Sequence, residues 1–400
     1  MMTGSEAAPR PGPLDGLVVL DLSRILAGPT CTQLLGDLGA EVIKIENRTG
    51  DDTRAWGPPF AMDADGQPTD LSAYFLSVNR NKKSVAVDLA DTGVQLALHD
   101  LAGRADVVIE NFKPGGLRAY GLDHGTLCAA YPGLVYCSIS GFGQTGPNRD
   151  KPGYDLMAQG FGGIMSITGA GDGEPMKVGV GVADVVCGLY AATGILAALR
   201  HRDATGEGQH IDLALVDSTM AWLVNQGLNY LSSGVSPVRA GNAHPNIVPY
   251  QVFATRDGHV IVAVGNDSQY ARFCDYLGAP GWARDPRFAT NAARVAHRDT
   301  LVPMIAEALA ARSRTDIIDG LEARRVPVGP VNTVEEALES DQAQARGMTL
   351  TLPAPQVAGG AVRLIGNPLK FSRTPVSYRR APPATGAETE DILPGLGCGV

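Results

Sequence analysis

The chain has 400 residues, of which 44% are hydrophobic and 19% are charged, and its formal net charge at pH 7 is -9. This balance excludes a disordered or coiled-coil chain, because both need far more charge. A general nucleic-acid binder would carry the opposite net charge, so any anionic ligand must be held by a local cluster of basic residues. The length predicts two or three domains.

Cysteine usage and hydropathy predict the compartment. The 6 cysteines include no CxxC pair, which is typical of reduced thiols and of neither a disulfide framework nor a zinc site. The first residues carry an acid and no apolar stretch, so we expect no secretory signal. No run approaches 18 uninterrupted apolar residues. We therefore predict a soluble cytoplasmic protein that does not associate with membranes.

The first half of the chain alternates strand and helix signals. LVVLDLS (17–23) reads as a buried strand, a helix is predicted from Pro29 through Leu38, and AEVIKIE (40–46) follows as a second strand. Such a βαβ unit implies parallel strands with a right-handed crossover. Three further runs repeat the strand signal: SVAVDLA (84–90), ADVVIENF (105–112) and GLVYCSISGFG (133–143). The pattern predicts an open, doubly wound α/β domain with a Rossmann-like sheet.

The second half changes character. Apolar residues at helical spacing predict a helix over 185–199, HIDLALVD (210–217) begins as a short strand, and 244–266 is typical of a hairpin turned at Arg256–Gly258. Helical patterns continue to about residue 325, and 361–372 is again strand-like. The predicted domain organisation is a disordered start (1–13), a large α/β domain (14–224), a smaller α+β domain (225–325), and a linker that returns to the large domain (326–400).

Several familiar site motifs are missing from the sequence. It contains no GxxxxGK[ST] phosphate loop, no HExxH and no GxSxG. Glu46 ends the second predicted strand, where a dinucleotide-binding fold keeps an acid for the ribose, but the first strand–helix turn lacks the GxGxxG glycines. A nicotinamide-dependent enzyme is therefore disfavoured.

Eight segments together resemble the class III CoA-transferases, the superfamily of formyl-CoA transferase, carnitine CoA-transferase and α-methylacyl-CoA racemase. The matching segments, in order over residues 13 to 385, are LDLSRILAGPTCTQLLGDLGAEVIKIE (20–46), NRNKKSVAVDL (79–89), ADVVIENFKPGGLRAYGL (105–122), SISGFGQTGP (138–147), GYDLMAQGFGGIMSITG (153–169), VGVGVADVVCGLYAATGILAAL (178–199), TGEGQHIDLALVD (205–217) and VPVGPVNTVEEAL (326–338). The resemblance implies a homodimer of two interlocked rings, with each active site between the large domain of one chain and the small domain of the other. It also implies coenzyme A and acyl-CoA as substrates, without a metal or a redox cofactor.

Asp184 is the candidate nucleophile. It follows VGVGVA and opens the 185–199 helix, where free N–H groups and the helix dipole are expected to keep its carboxylate ionised at neutral pH. By resemblance it occupies the position of the family's nucleophilic aspartate. On position alone, a helix-capping aspartate worth ~1 kcal/mol is the favoured interpretation, and the matching flanking segments reverse that preference.

Residues for CoA come from a basic cluster and from the ends of strands. Arg80, Lys82 and Lys83 are close in sequence, and Asn111 with Phe112 ends the 105–112 strand, where ligands bind in open α/β sheets. The resemblance assigns CoA contacts to Leu26, Ala27, Arg48, Asn81, Lys82, Asn111, Phe112, Arg118 and Ser140. Arg118 lies one position before the basic residue of formyl-CoA transferase.

Differences between this sequence and individual branches of the superfamily narrow the choice of acceptor acid. Tyr154 stands where the racemases have a proton-carrying histidine, and a phenol with a pKa of about 10 is a poor substitute. Formyl-CoA transferase has glutamine at the position of Leu26 and glycines where this chain has HPNIV (244–248). GNAHPNIVPYQVF (241–253) instead resembles the succinyl-CoA-dependent dicarboxylate branch, which includes glutarate CoA-transferase.

The candidates for binding the acceptor acid are Arg24, Tyr154, His244 and Asn246, although His244 also fits a capping or core histidine. The leading hypothesis is an acyl-CoA:carboxylate CoA-transferase. A 2-methylacyl-CoA racemase and a non-catalytic acyl-CoA binder remain as alternatives.

Overall fold

The structure is a computed structural model, and it describes residues 12–396. Residues 1–11 of the predicted disordered start lie outside the described residues. The chain divides into two compact units. Among the described residues, the larger unit contains 12–164, 178–233 and 341–396, and the smaller unit contains 165–177 and 234–340.

The helices and strands follow one another in three stretches of the chain. Up to residue 140 they are β1 (Val18–Asp21), α1 (Ala27–Asp37), β2 (Glu41–Glu46), β3 (Phe60–Met62), β4 (Pro68–Ser72), α2 (Ala73–Val78), β5 (Lys82–Ala86), α3 (Thr92–Ala102), β6 (Val107–Glu110), α4 (His124–Ala130) and β7 (Val135–Ser140). From there to residue 233 they are α5 (Asp155–Phe161), α6 (Ile164–Ile167), α7 (Val182–Thr205), β8 (His210–Ala214), α8 (Leu215–Ala221) and α9 (Val224–Ser233). The remainder comprises β9 (Tyr250–Thr255), β10 (Gly258–Ala263), α10 (Asp267–Leu277), α11 (Asn291–Ala296), α12 (Arg298–Ala310), α13 (Arg314–Glu322), β11 (Val328–Pro330), α14 (Val334–Leu338), α15 (Asp341–Ala345), β12 (Thr349–Pro353), β13 (Ala361–Ile365) and α16 (Thr389–Ile392).

A six-stranded sheet organises the larger unit. Its strand order is β5-β2-β1-β6-β7-β8, and every neighbouring pair is parallel. The chain winds outward from β1 to β5 and then crosses back to β6 on the other side of β1. This reversal leaves a crevice between the carboxyl ends of β1 and β6, where ligands bind in open α/β sheets. The predicted doubly wound α/β domain is confirmed.

Helices cover both faces of this sheet because its strands alternate their buried side chains. Val19 packs in one core with Cys31 of α1 and Ile195 of α7. Its neighbour Leu20 points the other way, into a second core with Leu98 of α3. A sheet buried on both faces explains why its strands read as continuous apolar runs in the sequence.

Helix α7 is the central helix of the first core. Over Val182–Thr205 it is long and apolar enough, by length and composition, to cross a membrane, and no other helix among the described residues passes that test. More than half of its apolar window is buried within the protein, and Cys187, Ala191 and Ile195 are fully enclosed against the sheet and α1. We interpret α7 as a core helix.

The smaller unit has its own core. The predicted hairpin is confirmed as antiparallel β9 and β10, and β11 pairs with β10 on its other side. Phe253 and Val260 from the hairpin pack against Phe273, Ile305 and Ile317 from three helices. The result is a small α+β unit, as predicted.

The predicted boundaries of this unit need correction. The predicted range 225–325 includes α9, which belongs to the larger unit, and omits residues up to 340. The physical reason at the second boundary is the pairing of Val328 with Val262, which makes β11 part of the small sheet. The return to the larger unit therefore begins at Asp341 rather than at residue 326.

Candidate active site

Two strand ends of the large sheet meet at the crevice between β1 and β6. The backbone N–H of Arg24 donates to Asn111 Oδ1 at 3.0 Å, and Asn111 Nδ2 donates to the carbonyl oxygen of Arg24 at 2.7 Å. These reciprocal bonds tie the segment after β1 to the segment after β6. The segments that follow these two strands are therefore in direct contact.

A cavity of about 680 Å³ opens at this crevice. The structure brings together eight of the predicted site residues in its lining: Arg24, Leu26, Ala27, Asn111, Phe112, Ser140, Tyr154 and Asp184. Lys151 and Lys113 also line it and supply positive charge that the sequence reasoning did not assign.

Asp184 is the third residue of α7 and is only 8% exposed. Gly181, which precedes α7, provides no side-chain cap to the helix. Burial and the nearby negative charge of Asp155 raise the pKa of Asp184 to about 7. Desolvation therefore opposes the expected ionisation of this carboxylate at neutral pH.

Asp155 is a site residue that the sequence reasoning missed. Its Oδ1 accepts a hydrogen bond from the backbone N–H of Ala183 at 2.8 Å, and its Oδ2 accepts one from Gln159 Nε2 at 2.7 Å. Gln159 Oε1 in turn accepts from the N–H of Val178 at 2.9 Å. Asp155 thus accepts a hydrogen bond from the backbone of α7 at Ala183, the residue before Asp184. Its position directly after Tyr154 in GYD was the available signal.

Tyr74 was also missed. Burial and the negative charges of Asp184 and Asp155 raise the pKa of its phenol to about 12, so the phenol keeps its proton at neutral pH. Its ring meets Trp56, which lines the cavity, edge-on at 5.2 Å between centroids. Tyr74 is therefore a neutral phenol that senses the charge of the candidate nucleophile.

A second cavity of about 490 Å³ lies next to the first, and Arg24 and Phe112 line both. Arg48 lines this second cavity, and its contact with CoA stays a prediction. Its guanidinium lies 3.6 Å from Asp88 in an exposed ion pair, which is weak enough to be exchanged for a ligand anion. Arg24 and Phe112 therefore stand between the cavity that contains Asp184 and the cavity that contains Arg48.

Two predicted CoA residues are structural instead. The Lys82 side chain is fully buried, and its ammonium donates to Asn79 Oδ1 at 2.9 Å and the Pro29 carbonyl at 3.2 Å, and pairs with Asp21 at 3.3 Å. These partners use all three donors, so none is left for a phosphate. Asn81 is buried as well, donating to Asp37 and accepting from the backbone of the C-terminal segment. The structure corrects both assignments.

Arg118 is placed apart from the other predicted CoA residues. It lines a third cavity of about 230 Å³ together with Glu110 and His124, and it lines neither of the two larger cavities. Its contact with CoA stays a prediction.

His244 and Asn246 belong to the smaller unit. The N–H of Asn246 donates to His244 Nδ1 at 3.1 Å, and the carbonyl oxygen of His244 accepts from Arg298 at 3.2 Å. The local turn therefore already engages one ring nitrogen of His244. A role for either residue in binding the acceptor stays a prediction.

Within residues 12–396, no group of three or more histidine, cysteine, aspartate or glutamate side chains is arranged to hold a metal ion. Five of the six cysteines lie in that range, and all five are free thiols. The chemistry that the site offers rests on a buried carboxylate of raised pKa, a neutral phenol and peripheral cations.

The family model for CoA-transferase family III matches residues 14–389. The chain belongs to this family. Among its relatives, the succinate–glutarate CoA-transferase of Agrobacterium fabrum is 48% identical over 97% of this chain and 96% of its own length. The human succinyl-CoA:glutarate CoA-transferase is 40% identical over 95% of this chain and 85% of its own length.

The fold agrees with this membership. A crystal structure of a CAIB/BAIF family protein from Brucella suis superposes with a TM-score of 0.86 at 46% identity, covering 97% of this chain and all of that one. The family III chain described here is an acyl-CoA:carboxylate CoA-transferase. The predicted resemblance is thereby confirmed.

Proposed function

We propose that this enzyme transfers CoA from succinyl-CoA to a dicarboxylic acid, with Asp184 as the nucleophile. The observation that carries the proposal is a buried carboxylate at the start of α7, lining the cavity at the strand crevice. The similar Agrobacterium and human enzymes are named for succinate or succinyl-CoA and glutarate. Arg24, Lys113 and Lys151 supply positive charge around the cavity, which suits an acceptor with a second carboxylate.

The reaction proceeds through two covalent species on Asp184. Its carboxylate attacks the thioester carbonyl of the donor, which forms a mixed anhydride and releases CoA thiolate. The thiolate then attacks the aspartyl carbonyl, which forms an aspartyl-CoA thioester and releases succinate. The acceptor carboxylate attacks this thioester to give a second anhydride and the thiolate, which finally attacks the acceptor-derived carbonyl. No water or net proton is consumed.

The local chemistry supports each role. Burial lowers the solvation of the Asp184 anion, so the ionised form is a stronger nucleophile than an exposed aspartate. Helix α1 begins at Ala27 without a side-chain cap, and Leu26 and Ala27 line the same cavity. Unsatisfied N–H groups at such a helix start stabilise the oxyanion that forms on a thioester carbonyl.

The dimer of interlocked rings is part of this proposal. The larger unit exposes apolar side chains along α7, including Leu189, Tyr190 and Leu196, and along α9, which has no buried residue. Exposed apolar surface on this scale favours burial against another protein, and we assign it to a second copy of the chain. A dimer also allows the smaller unit of the partner to complete the site, as the family resemblance implies.

The function is tested by incubating the enzyme with succinyl-CoA and a panel of C4–C6 dicarboxylic acids, with products followed by mass spectrometry. We expect a new dicarboxyl-CoA thioester and an equal amount of succinate, without accumulation of free CoA. Hydrolysis alone, or binding without exchange, contradicts the proposal, and the latter supports the non-catalytic binder. Deuterium exchange at Cα of a 2-methylacyl-CoA without CoA transfer supports the racemase.

Asp184→Ala serves as the matched variant. We expect it to lose exchange by about 10³-fold or more while CoA affinity and folding are retained. In quenched turnovers of the native enzyme, the peptide that carries Asp184 should show the mass of a CoA thioester. Product formation with no adduct on that peptide contradicts the covalent scheme.

A further inference from the structure

The segment from Ser23 to Ala27 connects β1 to α1 and forms one wall of the cavity that contains Asp184. Its backbone is unusual, since Ile25 has φ of 71°. This left-handed conformation is a genuine outlier for a β-branched residue, and it costs on the order of 1–3 kcal/mol. Contacts with the surrounding structure must therefore stabilise the left-handed conformation of Ile25.

The buried ion pair of Lys44 and Asp51 forms hydrogen bonds with the backbone on both sides of Arg24. Lys44 Nζ donates to the carbonyl oxygen of Ser23 at 2.8 Å, and Asp51 Oδ2 accepts from the N–H of Ile25 at 3.2 Å. The two side chains pair with each other at 2.9 Å, and both are fully enclosed. Both residues line the second cavity together with Arg48, but neither side chain has solvent-exposed surface that a substrate could contact.

Both members of the pair are charged. Burial opposes the charge on Lys44, but the carboxylates of Asp51 and Asp21 raise its pKa above the ordinary value. Burial likewise opposes the charge on Asp51, and Lys44 lowers its pKa. The bonds to Ser23 and Ile25 are therefore charge-assisted, which makes them stronger than bonds between neutral groups.

The segment from Ser23 to Ala27 also contacts the first turns of α7. Asn111 holds both the N–H and the carbonyl of Arg24 from the other side. Further along, a Cβ built on Gly188 of α7 would lie 2.5 Å from the carbonyl oxygen of Ala27, so the two backbones are in close contact. Gly188 lies one turn after Asp184. A shift of the segment would therefore change the distance between Ala27 and the nucleophile.

We propose that Lys44 and Asp51 are positioning residues for CoA transfer, an inference that rests on the proposed function. The pair holds Ile25 in its left-handed conformation and thereby places the start of α1 opposite Asp184. Precise placement of this wall is needed when the thioester carbonyl becomes tetrahedral, because a displacement of about 1 Å can reduce a rate by about 100-fold. The pair acts on the transition state through the backbone that it holds.

The test compares Asp51→Asn with Asp37→Asn. Asp37 is an equally enclosed carboxylate, paired with Arg80 at 2.6 Å, but its partners lie outside residues 23–27. Both variants lose a buried charge pair and should unfold at a lower temperature. At a temperature where both are folded, we expect Asp51→Asn to lower kcat by about 10–100-fold. Its KM for succinyl-CoA should change less than about threefold.

Asp37→Asn should leave kcat within about threefold of the native enzyme, because the ion pair that it loses makes no contact with residues 23–27. A second readout is the rate at which the Asp184 adduct forms in a single turnover, which should fall with kcat in Asp51→Asn. Ile25→Gly added to Asp51→Asn should recover part of kcat, since glycine adopts the left-handed conformation without strain.

Equal losses of kcat in the two single variants, or an unchanged kcat in Asp51→Asn, overturn the positioning role. If Asp51→Asn does not fold, Lys44→Met with the same measurements decides the question. Failure of the proposed function is distinguishable, because in that case the native enzyme itself forms no new thioester.

Discussion

Asp184 titrates close to neutral pH because it is enclosed and lies near Asp155. Its folded pKa of about 7 lies above the ordinary value of 3.8, so the anion that we propose as the nucleophile is lost as the pH falls through 7. The same shift means that the free energy of unfolding falls as the pH rises from 3.8 to about 7, and it stays at the lower value above pH 7. The burial that makes the Asp184 anion reactive therefore also reduces the stability of the folded protein above pH 7.

We expect kcat/KM for succinyl-CoA to be constant above about pH 8 and to fall about tenfold for each pH unit well below 7. The measurement is a pH–rate profile between about pH 5 and 8.5, with the folded state checked at each pH. In Asp155→Asn the midpoint should move to lower pH, because one of the two causes of the raised pKa has been removed. A profile with no limb near 7 would show that Asp184 is not the group whose ionisation limits the rate.

At the scale of elements, the contact between α1 and α7 decides where the two sides of the site lie. Gly188 allows this contact, since a side chain there would meet the Ala27 carbonyl and Thr30. Each helix brings its uncapped start to the same cavity. The spacing of the helices therefore sets the separation of the nucleophile from the wall that receives the thioester.

Gly188→Ala tests that spacing. The added methyl group must push α1 and α7 apart, so we expect a loss of ~1–3 kcal/mol in the free energy of unfolding and a lower kcat. Gly194→Ala on the same helix is the matched control, because its Cβ would meet only Ile211 at 3.6 Å. Alanine there should stabilise α7 by ~0.5–1 kcal/mol and leave kcat unchanged. Denaturant unfolding and steady-state kinetics distinguish the two, and equal kcat values would remove the role of the contact.

At the scale of the whole molecule, the apolar outer faces of α7 and α9 need a partner. Leu228 and Leu231 on α9 are 59% and 74% exposed, and a helix with one strongly apolar exposed face is costly in water. Light scattering coupled to size exclusion should give twice the mass of a 41.8 kDa chain. A monomer at micromolar concentration would exclude the interlocked dimer.

The surface that forms the dimer is identified by substitution. Leu231→Arg should weaken the dimer and lower activity at low enzyme concentration, because an exposed apolar anchor is replaced by a charge. Leu96→Arg on α3 is the control, since Leu96 is similarly exposed at 66% on a different helix. If the two variants associate equally well, α9 lies outside the interface.

The sequence by itself determined the order of strands and helices and the chemistry at the strand ends. Apolar runs of strand length, separated by helical periods, were enough to predict the doubly wound sheet, because both patterns are local consequences of which faces are buried. The same pattern placed Asn111 and Phe112 at the end of a strand, where ligands bind in open α/β sheets. Motif resemblance then singled out Asp184 and the family.

Tertiary structure alone decided which charges face solvent and which hold the fold together. Lys82 and Arg48 look alike in the sequence, yet Lys82 is enclosed among Asp21, Asn79 and Pro29 while Arg48 lines an open cavity. Asp155 is 29 positions from Asp184 in the chain, but it contributes to the pKa of that carboxylate. Solvation and charge–charge energies depend on neighbours that are brought together by the whole fold, and no local pattern carries that information.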